Sequence, residues 1–250
     1  MKLLLAWVAV LQGLVLPFSA SAATLPANQE AKRFEKVLPR TLSQPYLLFL
    51  PKGYEATGTK RWPLMIFLHG AGERGTNLAA VAVHGPPKMV TTNPDFPFVL
   101  VSPQCPEGAT WDVTTLDALL TEILATHAID PARVCLTGLS MGGYGSWAWA
   151  LAHPQRFAAV APICGGGSTI DALLASGARR DHLKRLPVWA FHGGKDNVVP
   201  LSESERMIDA FKKLGNTPRL TVYPEAGHDS WSAAYRDPAL LAWFLEQKRP

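Results

Sequence analysis

Cysteine is scarce in this chain: Cys105, Cys135 and Cys164 are its only three in 250 residues. An odd number excludes complete pairing within one chain, and the spacing is unlike a zinc ribbon or a CxxC redox site. HExxH, the metalloprotease signature, is missing. Charge of one sign is never concentrated. The chain has 24 basic against 20 acidic side chains, a formal +4, and only short basic groups such as Arg179-Arg180. That excludes the basic face needed to hold a phosphate backbone, so no nucleic-acid partner is expected. No uninterrupted apolar run reaches the roughly 20 residues that span a bilayer.

The longest apolar stretch, Leu3 to Leu16, is interrupted by Gln12 and lies at the N-terminus. It follows Met1-Lys2 and precedes Pro17-Phe18-Ser19-Ala20-Ser21-Ala22. One positive charge, a short apolar centre and small residues at Ala20 and Ala22 describe a secretory signal peptide over residues 1–22. Export to the periplasm or beyond is expected, without stable membrane insertion. No cysteine stands near the cleavage point to receive a lipid. Loss of Lys2 with the leader lowers the formal charge by one, to +3. Residues 23–250 contain no polar linker, low-complexity run or repeat at solenoid spacing, and are expected to form one domain.

Within that domain short apolar runs alternate with helical periodicity. Strands are expected at Gln44–Leu50, Leu64–Leu68, Phe98–Val101, Val134–Thr137, Phe157–Ile163, Val188–Phe191 and Leu220–Tyr223. Leu116, Leu119, Leu120, Ile123 and Leu124 repeat at helical spacing after Thr114, which with Asp117 offers a start signal. Ser202 and Glu205 offer a capping box for a helix carrying Met207, Ile208, Phe211 and Leu214. A closing helix is expected over Ala234–Gln247. The pattern implies an α/β fold: a mostly parallel central sheet with helices on both faces. Such sheets place chemistry beyond the carboxyl ends of their strands. Cys135 reads as a buried strand residue. Cys105 and Cys164 fall near strand ends, where a bridge between them is one option.

Chemistry is concentrated in Gly138-Leu139-Ser140-Met141-Gly142, a G-x-S-x-G stretch between the Val134–Thr137 strand and a helix that Pro154 ends. Small neighbours let the chain turn tightly and lift the hydroxyl clear of the surface. A serine needs a base to take its proton and a third group to orient that base. Asp196 follows the Phe191 strand, and His228 follows the Tyr223 strand. The expected assignment is Ser140 as nucleophile, His228 as base and later acid, and Asp196 as orienting carboxylate. Asp229 is the other carboxylate considered, and His192 the other base, although His192 would invert the expected chain order. His153 is accounted for by its helix end, while His84, His127 and His182 have no evident partner. Donors for the tetrahedral oxyanion are expected from the backbone of Met141 and Ala71, with Gly72 as the alternative in Leu68-His69-Gly70-Ala71-Gly72-Glu73-Arg74-Gly75. A metal site built from His69, His192 and His228 lacks a ligand motif, so no metal and no cofactor are expected.

LHGAGERG at 68–75, GLSMGG at 138–143, HGGKDNVVP at 192–200 and GHDSW at 227–231 together resemble the α/β-hydrolase superfamily, over residues 41–248. Within it the chain is similar to compact secreted serine esterases: feruloyl esterases, polyhydroxybutyrate depolymerases and phospholipase/carboxylesterase-type proteins. The resemblance implies an α/β-hydrolase fold with a minimal cap and hydrolysis of a small-molecule or polymer-attached ester through an acyl-serine. Ser140, Asp196 and His228 match the nucleophile, acid and base positions, and Met141 and Ala71 the usual donors. Dienelactone hydrolases are related by fold, but their nucleophile is a cysteine, so Ser140 disfavours that chemistry. Trp111 and Trp231 are candidate walls for a short acyl or aromatic group, or else ordinary packing. A serine peptidase and a noncatalytic binding protein on the same scaffold are the alternatives. The oligomeric state has no signal in the sequence.

Overall fold

Val, Leu, Ile and Phe dominate seven short segments that pair into one sheet. A computed structural model describes residues 30–249; the leader expected at 1–22 lies outside them. Residues 30–40 are exposed and form neither helix nor strand, with local ion pairs between Lys32 and Glu30 and between Arg33 and Glu35. The strands of the second unit, which begins at Thr41, are β1 (Tyr46–Phe49), β2 (Trp62–Leu68), β3 (Val99–Pro103), β4 (Ile129–Leu139), β5 (Ala159–Ile163), β6 (Trp189–Gly193) and β7 (Arg219–Tyr223). Their spatial order is β1-β3-β2-β4-β5-β6-β7. Only β1 runs antiparallel to its neighbour; the other pairings are parallel. Chain order therefore reverses across the β2/β4 boundary, where a crevice opens beyond the strand ends.

Alternation along the strands sends side chains to two cores. In β2, Leu64, Ile66 and Leu68 enter one core, and Met65 and Phe67 the other. The first core is covered by α2 (Val113–Thr126), α3 (Met141–Ala152) and α6 (Ser202–Leu214), through residues such as Leu116, Leu120, Trp147 and Phe211. The second is covered by α8 (Pro238–Glu246), through Leu240 and Phe244, with Met89 of α1 (Gly85–Met89) packed against it. Trp147 and Phe211 approach at 5.2 Å between ring centroids, joining α3 to α6. Helices on both faces and a mostly parallel sheet are what the sequence pattern predicts. Only α4 (Thr169–Leu173) and α5 (Gly177–Arg185) lie between β5 and β6, so the cap is minimal.

Local details differ from expectation. Asp112, not Thr114, caps α2 by accepting from the Thr115 N–H at 3.1 Å. The Ser202/Glu205 capping box does not form: Ser202 is already helical, and Leu201 precedes it without a side-chain cap bond. The closing helix expected over Ala234–Gln247 is shorter, α8 alone, and α7 (Trp231–Ala234) precedes it, because Pro238 starts a helix well and continues one badly. Strand β4 begins five residues early, its pairing with β2 shifting register between Trp62 and Leu64. No Cys105–Cys164 bridge is present; all three cysteines are free and buried. Among the described residues no helix is long and apolar enough to cross a membrane.

Candidate active site

The turn from β4 into α3 is tight because two backbones meet there. A Cβ on Gly142 would stand 1.9 Å from the Leu68 carbonyl oxygen, and one on Gly138 2.5 Å from the Gly142 oxygen. Hydrogen is the only substituent that fits either position. Between them Ser140 adopts φ 52° and ψ −118°, while its N–H donates to the Ile163 carbonyl at 3.0 Å. A non-glycine residue held there costs about 1–3 kcal/mol, which the surrounding sheet and helix must offset.

Three post-strand loops converge on this serine. The Ser140 Oγ lies 2.9 Å from His228 Nε2, and His228 Nδ1 lies 2.8 Å from Asp196 Oδ2. With a carboxylate acceptor at one nitrogen and a hydroxyl donor at the other, the consistent neutral tautomer is protonated at Nδ1. The other Asp196 oxygen, Oδ1, accepts from the Val198 and Val199 N–H groups, both at 2.9 Å. Burial of the Asp196 carboxyl raises its pKa, but the His228 bond and the two N–H bonds outweigh burial and hold it below the ordinary 3.8. Its side chain is wholly shielded from solvent. Asp229, the other carboxylate considered, is exposed.

The loop after β2 also comes close to this serine. A Cβ on Gly70 would lie 3.7 Å from Ser140 Cβ. Ala71 and Met141 each begin a helical turn, so neither N–H has an acceptor within its own helix. Polar bonds fix this loop. The Cys105 N–H donates to His69 Nε2 at 2.9 Å, leaving Nδ1 to donate to the Gly70 oxygen at 2.6 Å. Burial pushes the His69 pKa down, in keeping with a neutral ring. Arg74 donates through Nε to the Ala71 oxygen at 2.9 Å and through a terminal nitrogen to the Ala109 oxygen at 3.2 Å. Gln104 donates to the Glu73 and Asn77 oxygens at 2.9 and 2.8 Å.

The two tryptophans diverge. Trp231 stands edge-on to His228, with ring centroids 5.2 Å apart, and borders an open cavity. Trp111 is buried in the core, where its indole N–H donates to the His69 oxygen at 3.3 Å. Its ring meets His69 at 4.8 Å, so it supports the loop from behind instead of walling an open pocket. His192 bonds Ser204 Oγ at 2.7 Å and the Val199 oxygen at 2.9 Å, bracing the loop that carries Asp196.

Sequence reasoning overlooked Cys164 at this site. Its backbone has φ 40°, and its donor atom lies within 4.8 Å of one each from Asp196 and His228. This is a possible cation-ligand set among the described residues, but two of its members already bond one another. The third is a thiol whose pKa burial pushes up to about 12, so binding a cation would require breaking one bond and ionising a reluctant group. Its only sequence signal is its place at the end of the strand beside the elbow.

The model of the dienelactone hydrolase family matches residues 100–237, more than half of the chain and inclusive of all three converging loops. The chain belongs to the dienelactone hydrolase family. A candidate carboxymethylenebutenolidase of Methylorubrum extorquens is 32% identical over 139 residues, covering 52% of this chain and 47% of that one. The poly(3-hydroxyalkanoate) depolymerase C of Paucimonas lemoignei is 31% identical over 134 residues, or 47% of this chain and 30% of that enzyme. This dienelactone hydrolase family member thus spans half or less of the length of these curated relatives. Among solved structures, a thermostable esterase superposes with a TM-score of 0.68 at 31% identity, covering 82% of this chain and 60% of that one. A ferulic acid esterase shares the fold at TM-score 0.63 and 19% identity, covering 80% and 92%. The architecture is the α/β-hydrolase fold.

Proposed function

We propose that this protein is a serine carboxylic-ester hydrolase. The single observation that carries the reading is the continuous chain Ser140 Oγ, His228 and Asp196, with both bonds under 3 Å and the nucleophile on a strained elbow. Esterases among its relatives and structural neighbours support it. In the first half-reaction Ser140 Oγ attacks the ester carbonyl carbon while its proton passes to His228 Nε2. The carbonyl oxygen becomes an oxyanion facing the N–H groups of Met141 and Ala71. Asp196 stabilises the imidazolium and stays ionised. His228 then delivers the proton to the leaving alkoxide as the C–O bond breaks. Water repeats the sequence on the acyl-serine, releasing the acid and restoring the Ser140 hydroxyl.

Short-chain or aromatic, feruloyl-type acyl groups fit this reading, with the minimal cap leaving the site open. A leader is expected at residues 1–22; its removal outside the cytoplasm would leave a secreted chain beginning at Ala23. The experiment is a set of initial rates on p-nitrophenyl esters of increasing acyl length and on methyl ferulate. Turnover that falls with chain length and vanishes in Ser140→Ala supports the reading. Equal rates for wild type and Ser140→Ala on every ester overturn it.

A further inference from the structure

Ser140, Asp196 and His228 all follow strand ends; a second cavity lies where strands begin. It measures about 110 Å³, room for a few waters or for one tetrahedral oxyanion. Phe157 and Pro187, which lead into β5 and β6, give it apolar walls. His182 and Arg185, in the last turn of α5, and Lys248 and Arg249, beyond α8, line the rest. Four groups that carry or can take up positive charge thus meet from two distant segments, and no carboxylate lines the cavity.

Arg249 is fixed in place by backbone. Its own N–H donates to the Ala132 oxygen at 2.8 Å, and its terminal nitrogens donate to the Gln155 oxygen and, at 2.7 Å, to the Pro131 oxygen. Carbonyls satisfy hydrogen bonds without cancelling a unit charge, and Nε is buried with no acceptor at all. Burial and the neighbouring Arg156 push the Arg249 pKa down against the pull of Asp130, as expected of a cation short of countercharge. The nearby carboxylates are committed elsewhere. Asp117 pairs with Arg156 at 2.6 Å and Asp130 with Arg133 at 2.9 Å, while Lys248 stands 3.9 Å from Asp130. Among the described residues neither Arg185 nor Arg249 forms an ion pair. Arg185 is not needed to close its helix either, because Asn216 Nδ2 already donates to the Leu183 and Leu186 oxygens at 2.7 and 2.8 Å.

We propose that this cavity binds a tetrahedral oxyanion, phosphate or the phosphate end of a monoester, between Arg185, Lys248 and Arg249. Guanidinium groups match the oxygens of such a group, and a lysine adds a point charge. A cavity sized for one anion offers no track for the successive phosphates of a nucleic acid. The site stands at the other end of the sheet from the triad, so its ligand is not the ester and the proposal does not rest on the hydrolase reading.

The test is calorimetric titration of the full chain with inorganic phosphate, at an ionic strength held constant with chloride. It is repeated on Arg185→Ala/Lys248→Ala, two exposed positions, and on Lys88→Ala/Arg236→Ala, which removes the same charge from exposed positions beside Trp231. Urea midpoints check that both variants fold, with Arg185→Gln taking the place of the first if it does not. The expected result is one phosphate per chain, with affinity at least about tenfold weaker in the first variant and within about twofold of wild type in the second. A loss no greater in the first than in the second, or no saturation by about 10 mM phosphate, overturns the proposal. Sedimentation with phosphatidylcholine vesicles, with and without phosphatidic acid, separates the sources. Capture by phosphatidic acid that the first variant loses assigns a lipid headgroup. Calorimetric binding without capture, or with capture that the first variant retains, assigns a dissolved phosphate or monoester.

Discussion

At the scale of single residues the site depends on groups that hold other groups. Asp196 is the clearest case, since its oxygens fix both the His228 tautomer and the loop through Val198 and Val199. Replacing it with Asn is expected to lower kcat by about 10⁴-fold, because a neutral amide no longer selects the tautomer or stabilises the imidazolium; steady-state kinetics on the best ester checks this. Asp196 also carries a pH signature. Its pKa is depressed in the fold, so its ionisation stabilises the protein above the unfolded-state value near 3.8 and loses that effect as pH falls through the lower folded value. Urea unfolding between pH 5 and pH 2.5 should therefore show a smaller acid loss in Asp196→Asn than in wild type. Arg74 acts through Ala71: with its bond to the Ala71 oxygen removed in Arg74→Ala, kcat is expected to fall about 10- to 100-fold with little change in KM, since the oxyanion donor is used in the transition state. Rescue by Arg74→Lys would show that the contact at Ala71 matters, whereas an equal loss in KM would contradict a positioning role.

At the scale of elements the elbow is a steric agreement between β2, β4 and α3. Gly142→Ala drives a methyl into the Leu68 carbonyl and is expected to cost about 3 kcal/mol or more, read as a lower urea midpoint. Gly72→Ala meets nothing within 4 Å and is expected to stay within about 0.5 kcal/mol. The pair separates close packing from a general intolerance of substitution at glycine. The sequence asks for small residues around both glycines and does not say which of the two meets a neighbouring backbone. Strand centres were legible because each apolar run is short and bounded by turn residues. Caps were less so. Asp112 captured the start of α2 because its side chain reaches the Thr115 N–H, and Ser202 lost the start of α6 because the chain is already helical at Leu201.

At the scale of the molecule the site exists because chain order reverses between β2 and β4, which brings Ala71 and Ser140 to one crevice while β6 and β7 deliver Asp196 and His228 beside it. That Ser140, Asp196 and His228 meet was legible from their order and from the strand preceding each. Gln104 and Cys164 were not, because their contacts join segments far apart in the chain, and Arg74 was not, because its bond to the Ala71 oxygen exists only once the loop has turned. Trp111 and Trp231 looked alike in sequence and part company only when the fold buries one behind His69 and leaves the other at a cavity. Resemblance to serine esterases and membership of the dienelactone hydrolase family meet at Ser140, which lies within the matched residues. The most direct measurement is covalent trapping. A fluorophosphonate transfers its phosphorus to an activated nucleophile with loss of fluoride, and mass spectrometry of the intact chain and its peptides locates the adduct. The account predicts one adduct per chain, on Ser140, formed rapidly in wild type and about 10³-fold or more slowly in His228→Ala. Labelling on Cys164, or none on a folded wild-type chain, would contradict it.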